Sequence, residues 1–250
     1  MANEPVSKTG VRKGLRVRLP SPAFKKMEQS PPFNWSAELA YAIGLITTDG
    51  NLSPDKRHIQ FTNTEYELIR LFKNCLHINN KPTLTKPSGF GKKYAYRLNF
   101  GNVKFYRWLE EIGLKANKTR SLGKLEIADA YFTDFLRGHL DGDGSVFTYI
   151  DNYGIYKGKR YTNNRLYTVF ISASFEHLKW IQDNIRKNLS IDGALTSYLR
   201  KNTKFPLCKL RFAKKESLKL LPWIYYRPDL PCLNRKRKIA ARFIKELKSC

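Results

Sequence analysis

Cysteine is scarce: Cys75, Cys208, Cys232 and Cys250 are scattered, with no CxxC pair among them. That spacing offers neither a zinc knuckle nor a disulfide framework, and it fits a reduced, intracellular compartment. The cytoplasm of a prokaryote and an organelle fit equally well. No run of about 18 apolar residues occurs, so no segment is expected to span a membrane. The opening MANEPVSKTGVRKGLRVRLP lacks the apolar stretch of a secretory signal. Acid is the other shortage. Only 21 Asp and Glu stand against 46 Lys and Arg, a net charge of +25 in 250 residues. Such an excess repels the compact state and exceeds what solubility needs, so it points to a polyanion, nucleic acid first. A ribosomal or membrane-surface protein is the plainer rival.

What is present falls into an arm and two similar halves. Residues 1–33 hold five prolines and many Lys and Arg without periodicity, and they read as a basic N-terminal arm. From Asn34 the text becomes ordered. Asn34 or Ser36 can cap a helix running to about Thr48, where Gly50 supplies a left-handed stop. HIQFTN alternates as a half-buried strand, with His58, Gln60 and Thr62 facing away from Ile59 and Phe61. NTEYELIRLFKNCL follows as a helix with Leu68, Leu71, Phe72 and Cys75 on its stripe. KKYAYRLNF alternates again, placing Tyr94, Tyr96, Leu98 and Phe100 inward and Lys93, Arg97 and Asn99 outward. VKFYRWLEEIGL closes the unit as a helix, giving the order αββαββα over 34–113.

The same order then returns. TDFLRGHLDGDGSV lies 94 residues after LAYAIGLITTDGNL, with Gly44/Gly138, Asp49/Asp143 and Gly50/Gly144 identical. YTVFISA repeats HIQFTNT, and CKLRF repeats YRLNF, at wider offsets. A longer loop around DNYGIYKGKRYTNN absorbs the difference. Two copies mean a duplicated domain rather than a solenoid. Residues 114–128 read as a polar linker. The second domain spans 129–250 and ends in a basic helix, NRKRKIAARFIKELK, in which Ile239, Phe243 and Leu247 pack and 235–238 stay solvated.

Each repeated helix carries a mid-helix glycine, Gly44 or Gly138, which would cost about 1 kcal/mol relative to alanine if merely exposed. One missing side chain at the same register in both copies points to two backbones in contact. The helices then pack side by side, and Asp49 and Asp143 meet at their C-terminal ends. Helix C-termini already carry partial negative charge, and two carboxylates there also repel each other. A divalent cation reverses the sign of each of these terms. Hard oxygen ligands beside a polyanion suit Mg²⁺.

AIGLITTDG (42–50) and LRGHLDGDG (136–144) resemble the paired motifs of the LAGLIDADG homing endonucleases. The resemblance runs from about Asn34 to the last helix. It implies an α+β chain of two pseudo-symmetric αββαββα LAGLIDADG domains, with saddle-shaped antiparallel sheets and the motif helices packed at the domain interface. The implied activity is a site-specific endonuclease cutting both strands of a long double-stranded DNA site, as a monomer with internal pseudo-twofold symmetry. By resemblance, Asp49 and Asp143 are the metal-binding catalytic acids, and Thr48 and Gly142 lend backbone carbonyls. The family also sets a basic and a polar, water-holding residue beside each acid. Strand alignment gives Lys209 and Arg97 for the first role, Asn63 and Ser172 for the second. His58, Gln60, Thr62, Lys93, Arg97, Asn99, Arg200, Lys209 and Arg211 are the expected DNA contacts. Mn²⁺ is expected to replace Mg²⁺, whereas larger Ca²⁺ binds without supporting cleavage. The first motif departs from the family in Thr47-Thr48, where Asp-Ala is common, and leaves the final Asp intact.

Plainer readings stand beside these. An Asp-Gly after one helix is commonly a stop signal, but two at repeat spacing are harder to explain so. DGDGS hints at a calcium loop, yet Val146 stands where glycine is needed, and Asn152 stands at position twelve. His139 reads as packing, and His58, His77 and His177 read as surface or packing. An RNA maturase assisting intron splicing and a non-catalytic DNA-binding regulator share the expected fold. RNA is a partner only under the first of these.

Overall fold

A computed structural model describes residues 33–86, 94–156, 158–199 and 205–248. The expected arm lies outside these residues apart from Phe33, whose ring meets Phe105 at 5.3 Å. Lys93 and Arg200 also lie outside them, as does the side chain of Leu247.

Ser36 caps the first helix, α1 (Ala37–Asp49), by accepting from the Leu39 N–H at 3.1 Å. Strands β1 (Gly50–Leu52) and β2 (His58–Asn63) follow, then α2 (Tyr66–Cys75), β3 (Thr83–Thr85), β4 (Ala95–Gly101) and α3 (Val103–Glu111). The order repeats as α4 (Phe132–Asp141), β5 (Ser145–Tyr156), β6 (Lys159–Ser172), α5 (Phe175–Leu189), β7 (Ala194–Leu199), β8 (Pro206–Phe212) and α6 (Lys214–Ile224). A further helix, α7 (Asn234–Lys248), ends the described chain. Each sheet is antiparallel, and the spatial orders β1-β2-β4-β3 and β5-β6-β8-β7 match.

Helix α1 is buried on all sides from Leu39 to Thr47, because α4 covers one flank and its own sheet the other. The glycines make this possible. A Cβ on Gly44 would lie 2.2 Å from the Phe135 carbonyl oxygen, and one on Gly138 would lie 2.1 Å from that of Tyr41. Gly44→Ala should therefore destabilise the fold by about 3 kcal/mol or more, the upper range for overpacking, since backbone cannot yield as a side chain can. A urea melt of the variant checks this, and a loss below about 1 kcal/mol would contradict so close a packing.

Several expectations are corrected. Gly50 does not turn left-handed; its φ of −87° and ψ of 153° are extended, and β1 starts there directly. Its glycine is required by proximity, for a Cβ would lie 2.6 Å from both Cα and O of Ile46. The loop expected around DNYGIYKGKRYTNN is a hairpin, with β5 and β6 paired from Ser145–Val169 to Tyr156–Lys159 across one irregularity at Asp151/Gly154. Aromatic and β-branched residues carry the strands through its Gly and Asn. Tyr94 is not inward but 55% exposed. It precedes β4, beyond Tyr66 at the start of α2, which covers Tyr96 at 4.9 Å. The expected polar linker buries Leu114, Lys118, Leu122 and Leu125. In the basic run of α7, Lys236 is 1% exposed rather than solvated.

A buried polar cluster anchors the end of the chain to α4. Arg137 donates to Asp134 at 2.6 Å, to the Ile224 carbonyl at 3.1 Å and to the Pro231 carbonyl at 2.8 Å. Asp141 accepts from the Tyr41 hydroxyl at 2.9 Å and the Leu233 N–H at 2.7 Å. These contacts position α7 beside the ends of the motif helices.

Candidate metal centre

The α1 and α4 ends come together so closely that a Cβ on Gly142 would lie 2.0 Å from Thr48 Oγ1 and 2.8 Å from Asp49 Oδ2. Asp49 is half-buried at the end of α1, and Asp143 follows the end of α4 on the more open side. Thr48 Oγ1 donates to the Leu45 carbonyl at 3.0 Å and to Asp49 Oδ2 at 3.2 Å. Burial and then the charge of Asp143 push the Asp49 carboxyl up to about 7, against hydrogen bonds from Thr48 and Asn63 and the charge of Lys236. Desolvation also raises Asp143, opposed by Lys236 and Lys118.

Those two lysines occupy matching places, and local sequence marks neither as part of a site. Lys118 donates to the carbonyl of Gly50, the residue after Asp49. Lys236 donates to the carbonyl of Gly144, the residue after Asp143, at 2.7 Å. It also reaches the Leu140 and Asp141 carbonyls at 2.6 and 2.8 Å. Burial pushes both amines down to about 8, and nearby carboxylates pull them back up. A cation beneath each helix end complements the partial negative charge that Asp49 and Asp143 aggravate. The readable signal was the widening repeat offset: carried past α3 and α6, it pairs Asn117-Lys118 with Arg235-Lys236.

The structure sets the two basic residues chosen by strand alignment elsewhere. Arg97 pairs with Thr62 and Thr83 within the first sheet. Lys209 lies over the Tyr198 ring at 4.7 Å. Strand alternation turns both onto the groove faces of the sheets, and the cations that act on the acids are Lys236 on both and Lys118 on Asp143. Asn63 and Ser172 do reach the centre. Each accepts from the N–H two residues on, Glu65 at 2.8 Å and Ser174 at 3.1 Å. Asn63 stands close enough to Asp49 to favour its carboxylate, and Ser172 lines a small cleft with Thr48, Lys118 and Asp143. His139 and His177 are buried and stacked at 5.2 Å, and burial holds both rings below the usual imidazole range.

Among the described residues no group of three or more His, Cys, Asp or Glu side chains forms a metal cage. The donors on offer there are instead two carboxylates, Asp49 and Asp143, both hard oxygen. That suits Mg²⁺, which is usually held by one or two carboxylates and completed by water and phosphate.

The DNA contacts expected from sequence divide between two sheet faces. On the first, Gln60 Nε2 donates to Asn99 Oδ1 at 3.0 Å, with Thr62 and Arg97 in the next row. His58 stands at the strand's start, paired to Asp55 at 2.5 Å. On the second, Lys209 and Arg211 border an open groove of about 470 Å³.

No family model matches the chain, and no curated protein matches it in sequence. Solved structures do resemble it. The I-LtrWI LAGLIDADG homing endonuclease bound to target DNA superposes with a TM-score of 0.53, at 12% identity over 85% of this chain and 90% of that one. The fold is the LAGLIDADG fold. The homing endonuclease I-WcaI bound to its DNA recognition sequence gives 0.53 at 14% identity, over 84% of this chain and 95% of that one. Full-length DUF199/WhiA from Thermatoga maritima gives 0.49 at 18% identity; 86% of this chain is covered, and it spans 62% of that one. No described helix is long and apolar enough to cross a membrane.

Proposed function

We propose that this chain is a single-chain, metal-dependent endodeoxyribonuclease that hydrolyses phosphodiester bonds on both strands of a long DNA site. One observation carries the reading: the two repeat aspartates meet at adjoining helix ends, each above a buried lysine. Such an arrangement is unfavourable in itself, and it gains a purpose when a cation and a phosphate occupy the centre. Asp49 and Asp143, with the carbonyls of Thr48 and Gly142, would hold Mg²⁺. Bound there, the ion would supply an activated water and stabilise charge on the phosphoryl and leaving oxygens. Lys118 and Lys236 keep the helix ends in register and meet the basic role that the resemblance attaches to each acid. Asn63 and Ser172 orient water beside them. Gly142 leaves the room that any side chain would fill.

The DNA-bound neighbours support duplex DNA as the substrate, as does the net charge of +25. Selection of cut sites from a randomised plasmid library tests the reading. Mg²⁺ or Mn²⁺ should give double-strand cuts, Ca²⁺ tight binding without scission, and EDTA none. Cleavage in EDTA would remove the metal from the reading altogether.

Binding should also be steeply salt-dependent. If six or more phosphates are neutralised, affinity falls by about 10³-fold or more between about 50 and 200 mM salt. Fluorescence anisotropy on long duplex DNA measures this, with structured RNA as the comparison. A flat response on DNA would mean that the charge serves something else.

A further inference from the structure

The ladders equate positions in the two sheets without any alignment of sequence. In the first sheet one row reads Thr62, Arg97, Thr83; in the second it reads Ile171, Lys209, Thr196. The adjacent row pairs Gln60 with Asn99, and its counterpart is Val169, Arg211 and Ala194. Two polar positions on β2 are thus apolar on β6. The neighbourhood follows suit. Around Gln60 and Asn99 the side chains are amides and hydroxyls bonded to one another or to strand carbonyls. Beside Val169 and Ile171 stands Phe147, 42% exposed, its ring against Tyr167 at 5.5 Å. The cations of this groove are laid over rings, Arg211 at 5.4 Å from Tyr167 and Lys209 at 4.7 Å from Tyr198.

We propose that the two sheets read the two halves of one DNA site by different chemistry. The second sheet reads thymine 5-methyl groups, and the first reads hydrogen-bonding base edges. The inference rests on the DNA-binding part of the reading above, and not on cleavage. The 5-methyl of thymine is the one apolar group that projects into the major groove; cytosine offers only a C5–H in its place, and the polar edge atoms there are donors or acceptors. An apolar floor set against those edges would leave them without partners, at a cost comparable to a lost hydrogen bond each. Phe147, Ile171 and Ala194 therefore select base pairs that present a methyl, while Lys209 and Arg211 remain for guanine or phosphate. RNA offers neither the methyl nor a readable major groove, so the same floor favours DNA.

The test uses the full chain in EDTA, with duplexes selected for binding from a randomised DNA library. Thymines in one half or the other of a selected duplex are then replaced by deoxyuridine, which removes only the methyl. Affinity should fall about fourfold per methyl in one half, the loss expected for one methyl-sized apolar group. It should change less than about twofold per methyl in the other half, whose hydrogen-bonding edges are intact. Ile171→Thr installs the first sheet's residue while keeping a β-branched side chain. With an unchanged melting profile, it should reduce the thymine-over-uracil preference at the base pair it faces, threonine's single methyl keeping only part of the contact. Tight DNA binding with no uracil effect in either half, or equal effects in both, overturns the proposal alone. Failure to enrich any duplex DNA, with structured RNA bound instead, overturns it together with the DNA reading.

Discussion

Asp49→Asn should all but abolish cleavage while leaving the metal-free protein more stable at neutral pH, and Asp143→Asn should likewise abolish cleavage. Removing a hydrogen-bond partner of a metal ligand typically costs about 10–100-fold, so loss of the ligand's charge should cost more. The stability effect of Asp49→Asn has a definite pH signature. The Asp49 carboxyl is raised from 3.8 to about 7, first by burial and then by the charge of Asp143. A carboxyl held above its unfolded value favours the folded state while protonated. That contribution is complete below about 4 and is lost as pH rises through about 7. Asparagine stays neutral throughout. Wild type and Asp49→Asn should therefore melt alike near pH 4 and diverge above it. By pH 8 the variant should lead by about 1–4 kcal/mol, the upper figure being the full linkage of that shift and the lower its value after screening by solvent. Thermal melts in EDTA at the two pH values, with plasmid cleavage in Mg²⁺, decide it. A helix stop with no further role predicts near-normal cleavage, and a salt-bridged structural Asp predicts a less stable variant.

The parts legible in sequence are those fixed by spacing along one element. Gly44 and Gly138 share a register on helices whose stripes are readable, so their contact follows from the spacing alone. The faces of β2 follow from strict alternation, and Ile59 and Phe61 are buried as that alternation requires. What escaped depends on distant partners. A lysine in NRKRK looks solvated because basic runs usually are; only three carbonyls at the end of another helix make burial of Lys236 tolerable. Lys118 is hidden in the same way, in a stretch whose polarity reads as linker. The β5–β6 hairpin was obscured by Gly154 and by Asn163 and Asn164, turn formers that the sheet accommodates beside one irregularity. Strand alignment correctly put Arg97 and Lys209 on sheets. It could not say that a sheet's groove face is a different place from the helix ends above it.

Lys236→Met should be the more damaging of the two lysine substitutions for folding, and both should impair cleavage. The Lys236 amine donates to the carbonyls of Leu140, Asp141 and Gly144, among the last acceptors of α4 and its exit. Methionine fills similar space and supplies no donor, so all three carbonyls lose their charged partner in a buried setting. Part of the penalty is offset because the amine no longer has to be desolvated, which already holds its pKa near 8. The net loss should be about 3–5 kcal/mol, the range for removing one partner from a buried charged contact. Lys118 donates to the single carbonyl of Gly50, and Lys118→Met should cost about 1–3 kcal/mol. Cleavage separates support from chemistry. Assayed well below both melting transitions, a lysine that only braces its helix end should leave the rate near wild type once the variant is folded. A lysine whose charge faces the scissile phosphate should leave DNA affinity in Ca²⁺ nearly intact and still lower the rate by about 10²-fold, the scale of one lost electrostatic contact to a transition state. Both lysines spend donors on carbonyls and act on the carboxylates through space, and that charge, not a direct contact with phosphate, predicts the second outcome for both variants, each slowing the cut beside its own aspartate and leaving nicked intermediates to accumulate. Equal, full-rate cutting of both strands by folded Lys118→Met and Lys236→Met would reduce the pair to braces.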